Sequence, residues 1–285
     1  MSLPLAQDLT PLRIGTVSLV VRDLPRVAAF YREVIGLAET ASDTHVLHLG
    51  AGSRTLLELI GRPDAPVAGP RAAGLFHTAI LLPDRASLGR WLRHAAASRT
   101  SLQGASDHGV SEAIYLADPE GNGVEVYADR PRREWPRSGD GLRMVTDPLD
   151  ADALLAAGGE ATFDGAPDGT TIGHVHLQTG AVEASQRYYT ETLGLDVMQL
   201  VPSATFLSSG GYHHHVAANI WNSRGAPPRD PEATGLKGFE FLARDEAAFE
   251  AAETAILASG VTAARQGEAI HLVDPAGVGI ALRRG

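Results

Sequence analysis

Hydrophobic positions along the chain follow two rhythms. Residues 17–21 place an apolar side chain at every second position, the period of a strand with one buried face, and residues 27–34 place Val, Phe, Tyr and Val on one face of a helix. Shorter alternating runs follow and are joined by Gly-rich turns of the kind that close hairpins. This order predicts one βαβββ module.

The module recurs along the chain. The matched segments are residues 14–19 and 172–177, Gly36-Leu37 and Gly194-Leu195, residues 74–77 and 235–238, and the Asp-Pro turns at residues 118–123 and 274–279. Four modules are therefore predicted, because each pair of segments marks equivalent points of two modules. We expect two domains of two modules each, residues 10–131 and residues 171–285, with residues 132–170 as the linker.

Composition narrows the class of protein. The chain has 285 residues, 44% of them hydrophobic, but it has no apolar run long enough to span a bilayer. Its formal net charge of -10 disfavours a nucleic-acid partner, and residues 1–12 lack the basic start and apolar core of a secretory signal. We therefore expect a cytoplasmic protein with no membrane or nucleic-acid partner. Because the chain has no cysteine, any metal would be bound by His, Asp or Glu.

Three strings carry a family resemblance. They are Gly-His-Val-His-Leu at residues 173–177, the run from residue 110 to 131 with its Asp-Pro-Glu-Gly-Asn-Gly-Val-Glu core, and Gly-Gly-Tyr-His-His-His at residues 210–215. Together with the repeated module, they closely resemble the vicinal oxygen chelate superfamily of glyoxalases, bleomycin resistance proteins and extradiol dioxygenases. Within it, they look like the bacterial two-domain catechol 2,3-dioxygenases. The resemblance implies an α+β fold in which four βαβββ modules form two cupped mixed-sheet barrels.

The same resemblance implies that metal ligands would lie on the first and last strands of the modules. In chain order, these positions are Thr16 and Glu58, His77 and Glu125, His174 and Ala218, and Gly238 and Ala281. If the two middle modules pair, His77, Glu125 and His174 meet, whereas pairing in chain order joins His77 and Glu125 with Glu58. Two imidazoles and one carboxylate with open positions are typical of Fe(II) that activates oxygen. We therefore favour the middle pairing with Fe(II), and Mn(II) suits the same ligands.

The resemblance also implies three catalytic residues. His214 matches the acid–base histidine of extradiol dioxygenases, and His108 and Tyr115 match a pair that hydrogen-bonds the substrate. These residues would meet the metal ligands only if the middle modules pair. By strand alternation, we expect the histidines on either side of His214 to face away from it. His176 shows no pattern that assigns it a role.

The implied activity is extradiol cleavage of a small aromatic diol, a catechol, by O2 to a 2-hydroxymuconate semialdehyde, as in aromatic hydrocarbon catabolism. Two alternatives remain open. One is a glyoxalase-type metal-dependent lyase or isomerase, which would use Glu58, and the other is a non-enzymatic ligand-sequestering protein of the same fold. We expect a homo-oligomer, and the linker leaves open whether the middle modules pair within one chain or across a dimer.

Overall fold

The first half of the chain forms two βαβββ modules. The structure is a computed structural model that describes residues 5–139 and 141–285, so residues 1–4 of the segment inspected for a secretory signal lie outside the described residues. The first module consists of β1 (Leu12–Val21), α1 (Leu24–Glu33), β2 (Ala38–Ser42), β3 (Val46–Ala51) and β4 (Arg54–Gly61). The second consists of β5 (Gly74–Leu81), α2 (Arg85–Ala97), β6 (Gly104–Asp107), β7 (Ser111–Ala117) and β8 (Gly123–Asp129).

The second half repeats the same order after a structured linker. The linker holds the short paired strands β9 (Arg137–Ser138) and β10 (Gly141–Leu142), followed by α3 (Ala151–Ala157). The third module is β11 (Thr171–Gln178), α4 (Val182–Leu193), β12 (Asp196–Val201), β13 (Ala204–Ser208) and β14 (Val216–Asn219). The fourth is β15 (Gly235–Ala243), α5 (Glu246–Ser259), β16 (Ala264–Gln266), β17 (Ala269–Val273) and β18 (Gly279–Arg284).

Local sequence sets the ends of the helices. The side chains of Asp23, Asp84 and Asp245 each accept a hydrogen bond from a backbone N–H in the first turn of α1, α2 and α5, respectively. Helices α4 and α5 end at Gly194 and Gly260, which adopt left-handed φ values of 65° and 72°. Among the described residues, no helix combines the length and the apolar character needed to cross a membrane.

The strands form two eight-stranded mixed sheets. One has the order β16-β17-β18-β15-β1-β4-β3-β2, and the other has the order β12-β13-β14-β11-β5-β8-β7-β6. In the second sheet β5 runs parallel to β8, whereas β8 runs antiparallel to β7. The predicted α+β fold of four βαβββ modules in two mixed sheets is confirmed.

Each sheet combines one module from each half of the chain. Modules one and four supply the first sheet, and modules two and three supply the second. The middle pairing is therefore the arrangement that the structure adopts within a single chain. The predicted domains, residues 10–131 and 171–285, stay a prediction. Each of these halves of the sequence contributes one module to each sheet, and neither contains a whole sheet.

By the density of its contacts, the chain divides into two compact units. The first comprises the residues up to Val20 together with Ala65–Phe76 and Gly173–Gly285, and the second comprises Val21–Asp64 and His77–Ile172. Phe241 and Phe249 are fully buried in the first unit, and Trp91 and Tyr127 are fully buried in the second. Each unit therefore has large apolar side chains in a core of its own.

Candidate metal centre

Three of the residues singled out by the sequence form one group. His77 lies on β5, Glu125 on β8 and His174 on β11, and the candidate ligand atoms of all three lie within 4.8 Å of one another. The three residues are buried, with 6%, 3% and 2% of their surface exposed, respectively. The Nε2 atom of His77 lies 2.9 Å from Oε2 of Glu125. The group therefore gathers two imidazoles and one carboxylate away from bulk water.

Strand register explains why these side chains share a face. Glu125 is paired with Ala79 on the parallel strand β5, so it points to the same side of the sheet as His77, two residues before Ala79. In the third module, the equivalent pair is His176 and Ala217. The residue that corresponds to Glu125 is thus Ala217, and the assignment of that position to Ala218 was wrong by one residue. Either alanine lacks a ligand atom, so the third module contributes only His174.

The donor set fits a divalent metal. Two neutral imidazoles and one carboxylate match the ligands of the facial triad, which leaves coordination positions open to other molecules. The alternative set with Glu58 is not assembled, because Glu58 lies on β4 of the other sheet, paired opposite His48. In that other sheet, Glu240 accepts a hydrogen bond from the backbone N–H of Thr16 and pairs with Arg283.

Tyr115 and His108 lie beside this group. Tyr115 is paired with Glu125 across β7 and β8, and its ring centroid is 5.7 Å from that of His77. Its hydroxyl lies 2.6 Å from Nε2 of His108, and Nδ1 of His108 lies 2.7 Å from the carbonyl oxygen of Val145. A carbonyl oxygen only accepts, so Nδ1 of His108 donates to Val145, while the Tyr115 hydroxyl contacts both Nε2 of His108 and the Glu125 carboxylate. Burial, and then the nearby charge of Glu125, raise the pKa of Tyr115, which keeps its hydroxyl protonated.

His214 packs directly against the candidate ligand His174. Their ring centroids are 4.0 Å apart, and Nδ1 of His214 lies 2.8 Å from Nδ1 of His213. The expectation that the neighbours of His214 face away is wrong for His213, because residues 212–215 form a turn before β14 and strand alternation does not apply there. His215 instead lies 3.2 Å from the Ser208 hydroxyl, and burial, followed by the charges of nearby histidines, lowers its pKa to about 3.

His176 is a site neighbour that the sequence reasoning missed. It is 4% exposed, and its Nε2 accepts a hydrogen bond of 3.0 Å from the side-chain amide of Asn219. The signal was available in the sequence, since His176 follows His174 by two residues on one strand and must therefore point to the same face. All six predicted site residues and His176 thus belong to the sheet that modules two and three build, although His214 and His108 lie in its turns.

Comparisons with known proteins agree with the fold and with the predicted class of enzyme. The family model of the Glyoxalase/Bleomycin resistance protein/Dioxygenase superfamily matches residues 13–126 and 171–279. A catechol-2,3-dioxygenase of Bacillus subtilis (strain 168) is 43% identical over 232 residues, which cover 78% of this chain and 80% of that protein. The predicted class, an enzyme resembling catechol 2,3-dioxygenase, is confirmed by this similarity.

Solved structures share the fold at low sequence identity. A putative dioxygenase from Bacillus subtilis subsp. subtilis str. 168 has a TM-score of 0.63 at 14% identity, covering 96% of this chain and 84% of that one. Glyoxalase I from Zea mays has a TM-score of 0.55 at 18% identity, covering 96% and 92%. These likenesses concern the fold alone. With the family model matching both halves and a relative at 43% identity, the chain belongs to the glyoxalase/bleomycin resistance protein/dioxygenase superfamily.

Proposed function

We propose that the protein is an extradiol dioxygenase that cleaves a catechol with O2 and holds Fe(II) on His77, Glu125 and His174. One observation carries the proposal: the three ligand atoms meet within 4.8 Å in a buried group, in a chain 43% identical to a catechol-2,3-dioxygenase. Mn(II) suits the same donor set and is the alternative metal.

The reaction breaks the ring bond between a hydroxyl-bearing carbon and the adjacent carbon that carries no hydroxyl. Fe(II) bound at this site would supply Lewis-acid binding of both catechol oxygens and a path for electrons from the catechol to O2. Both oxygen atoms of O2 enter the product, a 2-hydroxymuconate semialdehyde, so the reaction needs no further oxidant or reductant. The side chains of the protein are therefore required to orient the diol and to move protons.

Tyr115 and His108 would orient the diol. The Val145 carbonyl holds the Nδ1 proton of His108, and the Tyr115 hydroxyl lies between Nε2 of His108 and the Glu125 carboxylate, which accepts its hydrogen bond. The hydroxyl group of Tyr115 is thereby fixed beside Glu125 and His77. A substrate oxygen that meets this hydroxyl finds a hydrogen-bond partner whose direction is already set, which favours one orientation of the ring.

His214 would transfer the proton. Its ring lies against that of His174, so it borders the ligand group from the side of the third module. In the contact between the two Nδ1 atoms of His213 and His214, only one nitrogen can donate. When His213 donates, neutral His214 carries its proton on Nε2, and this is the proton we assign to the oxygen released as the O–O bond breaks.

A pair of single substitutions tests the proposal. His174→Ala removes one of the three ligands, whereas Glu58→Ala removes the residue needed only by the chain-order ligand set. We expect His174→Ala to lose stoichiometric Fe(II) binding and to reduce O2 uptake beyond the roughly ten- to hundredfold loss typical of outer partners of a metal site. Glu58→Ala should retain both. Iron content, O2 uptake and the yellow ring-fission product are measured on protein reloaded anaerobically with Fe(II).

The outcomes separate metal, chemistry and folding. Circular dichroism and the thermal midpoint of both variants show whether His174→Ala is folded, so that loss of iron is not loss of structure. One semialdehyde formed per O2 consumed supports extradiol cleavage. Full activity of His174→Ala, or loss of iron in Glu58→Ala, contradicts the proposed ligand set. Stoichiometric iron without O2 uptake on any catechol contradicts the proposed reaction.

A further inference from the structure

Three aromatic side chains of the first unit connect the site face to the molecular surface. The ring of His176 lies 4.9 Å from that of Phe76 and 5.3 Å from that of Trp221, and the rings of Phe76 and Trp221 are 5.1 Å apart. We call these three residues the aromatic cluster. His176 shares its sheet face with His174, and Trp221 is 51% exposed, so the cluster reaches from beside the metal ligands to solvent.

A cavity of about 1000 Å³ begins at the exposed end of the aromatic cluster. Trp221 is one of its lining residues, and the remaining wall is drawn from residues 71–73, Ser203 and residues 220–230. All of these residues belong to the first unit. One aromatic residue, Trp221, thus lines the cavity, and through the aromatic cluster it connects the cavity to the site face.

The cavity is cationic in an acidic protein. Arg71, Arg224 and Arg229 line it with one carboxylate, Asp230, whereas the whole chain carries a net charge of -10. Arg229 is buried and donates to the carbonyl oxygen of Ala233. Within residues 5–139 and 141–285, neither Arg71 nor Arg224 forms an ion pair with a carboxylate. Two guanidinium groups therefore line the cavity without an ion-pair partner among the residues that the structure describes.

We propose that this cavity binds the carboxylate of a catechol that carries a carboxyalkyl side chain, with Arg71 and Arg224 as its hydrogen-bond donors. The inference rests on the proposed function, whose substrate class it narrows from catechols in general to acidic ones. Guanidinium groups bind carboxylates through paired N–H donors, and the aromatic cluster offers ring faces to the apolar part of the side chain.

The spacing along the sheet suits a side chain of a few carbons. His176 lies two residues beyond His174, roughly 7 Å along the strand, and its ring centroid is 5.3 Å from that of Trp221. A diol held at the metal ligands would place a short side chain along the aromatic cluster and its carboxylate at the cavity. A propanoate chain is therefore the side chain chosen for the test.

The first test compares an acid with its neutral ester. On Fe(II)-loaded protein, kcat/KM is measured for 3-(3,4-dihydroxyphenyl)propanoate and for its methyl ester. We expect the acid to be preferred by about tenfold or more, the effect of a charge-assisted hydrogen bond. The double variant Arg71→Gln and Arg224→Gln should reduce kcat/KM for the acid about tenfold and change that for the ester by less than about twofold. The matched control is Arg187→Gln, an exposed arginine on α4.

A second test reads binding without turnover. Of the three tryptophans, Trp91 and Trp135 are 0% and 5% exposed, so Trp221 is the one that reports on the cavity by fluorescence. Metal-free protein is titrated with 3-phenylpropanoate, which has no diol to cleave, and with its methyl ester. We expect the acid alone to change the emission, and we expect Trp221→Phe and the double arginine variant each to abolish the response.

The two tests also separate this inference from the proposed function. Equal use of acid and ester, or a preference for the acid that survives in the double arginine variant, overturns the inference. So does a fluorescence response to 3-phenylpropanoate without any discrimination in turnover, because the cavity would then bind free anions rather than the substrate. If no diol consumes O2 on iron-loaded protein, the proposed function fails, and the fluorescence titration alone decides whether the cavity takes a carboxylate.

Discussion

Asp274 offers a stability test that depends on one buried carboxyl group. It lies in the turn between β17 and β18 and is 4% exposed. Its Oδ1 accepts hydrogen bonds of 2.9 and 2.8 Å from the backbone N–H groups of Ala276 and Val278, and its Oδ2 accepts one of 2.9 Å from the hydroxyl of Tyr189. Burial outweighs these bonds and raises its pKa from 3.8 to about 6.

The free energy of unfolding depends on pH because the folded and unfolded states bind the Asp274 proton with different affinities. The folded protein binds the Asp274 proton more tightly than the unfolded chain, so folding takes up a proton between pH 3.8 and about 6. The free energy of unfolding therefore falls as the pH rises through this range. A pKa difference of this size corresponds to about 3 kcal/mol, present below pH 3.8 and lost above the folded-state pKa.

Asp274→Asn removes this dependence, because an amide does not titrate in this range. Its Oδ1 keeps the two backbone N–H bonds, and the Tyr189 hydroxyl can accept from the new amide. We expect the free energy of unfolding of the variant, minus that of the native protein, to rise by about 3 kcal/mol between about pH 4 and pH 7. Urea unfolding at several pH values measures the difference, and other titrating groups cancel between the two proteins.

Tyr189→Phe provides an internal control of opposite sign. The Tyr189 hydroxyl bond lowers the pKa of Asp274, so its loss should extend the fall in stability to higher pH. A free-energy difference between Asp274→Asn and the native protein that stays constant from pH 4 to pH 7, or that falls with pH, would refute the argument from burial.

Two further substitutions test packing and charge in the second unit. Gly89→Ala would place a Cβ atom 2.2 Å from the carbonyl oxygen of Leu154, so α2 and α3 must separate. We expect the free energy of unfolding in urea to fall by about 2 kcal/mol. Gly69→Ala, whose Cβ atom would have nothing within 4 Å, is the control that should be neutral. Glu112→Gln removes a buried carboxylate that accepts a 3.0 Å bond from Arg85. We expect a loss of about 2 kcal/mol in urea unfolding that 1 M salt changes little, because the carboxylate is buried, and a neutral result would contradict the contribution of the ion pair.

The modular fold follows from periodicities that are local in the sequence. The strand period of residues 17–21, the helical face of residues 27–34 and the Asp-Pro turns each report on neighbours within one module. The pairing of modules depends on contacts between residues far apart in the sequence, and the period of a strand does not encode such contacts. The pairing of the middle modules emerged instead from chemistry, because only that arrangement unites His77, Glu125 and His174.

The limits of the site prediction were geometric. Counting along β14 assigned the ligand position to Ala218, but the pairing of β14 with β11 assigns it to Ala217. This register depends on where β14 begins after residues 212–215. The same turn brings His213 against His214, contrary to alternation. His176 was overlooked although its two-residue spacing from His174 pointed to it. The cavity lined by Arg71 and Arg224 is formed by segments far apart in the sequence, so no local pattern predicts it.

The pairing of β1 with β15 has a consequence for the order in which the protein is made. Leu12 is paired with Ala243, so β1 remains unpaired along this edge until a partner about 230 residues further along the chain has been synthesised. Until then, the β15-facing edge of β1 exposes unpaired backbone N–H and C=O groups, which invite pairing with other chains. Closing so long a loop is slow, so the interval before β15 is synthesised is the stage at which the chain is most exposed to aggregation and most in need of chaperones.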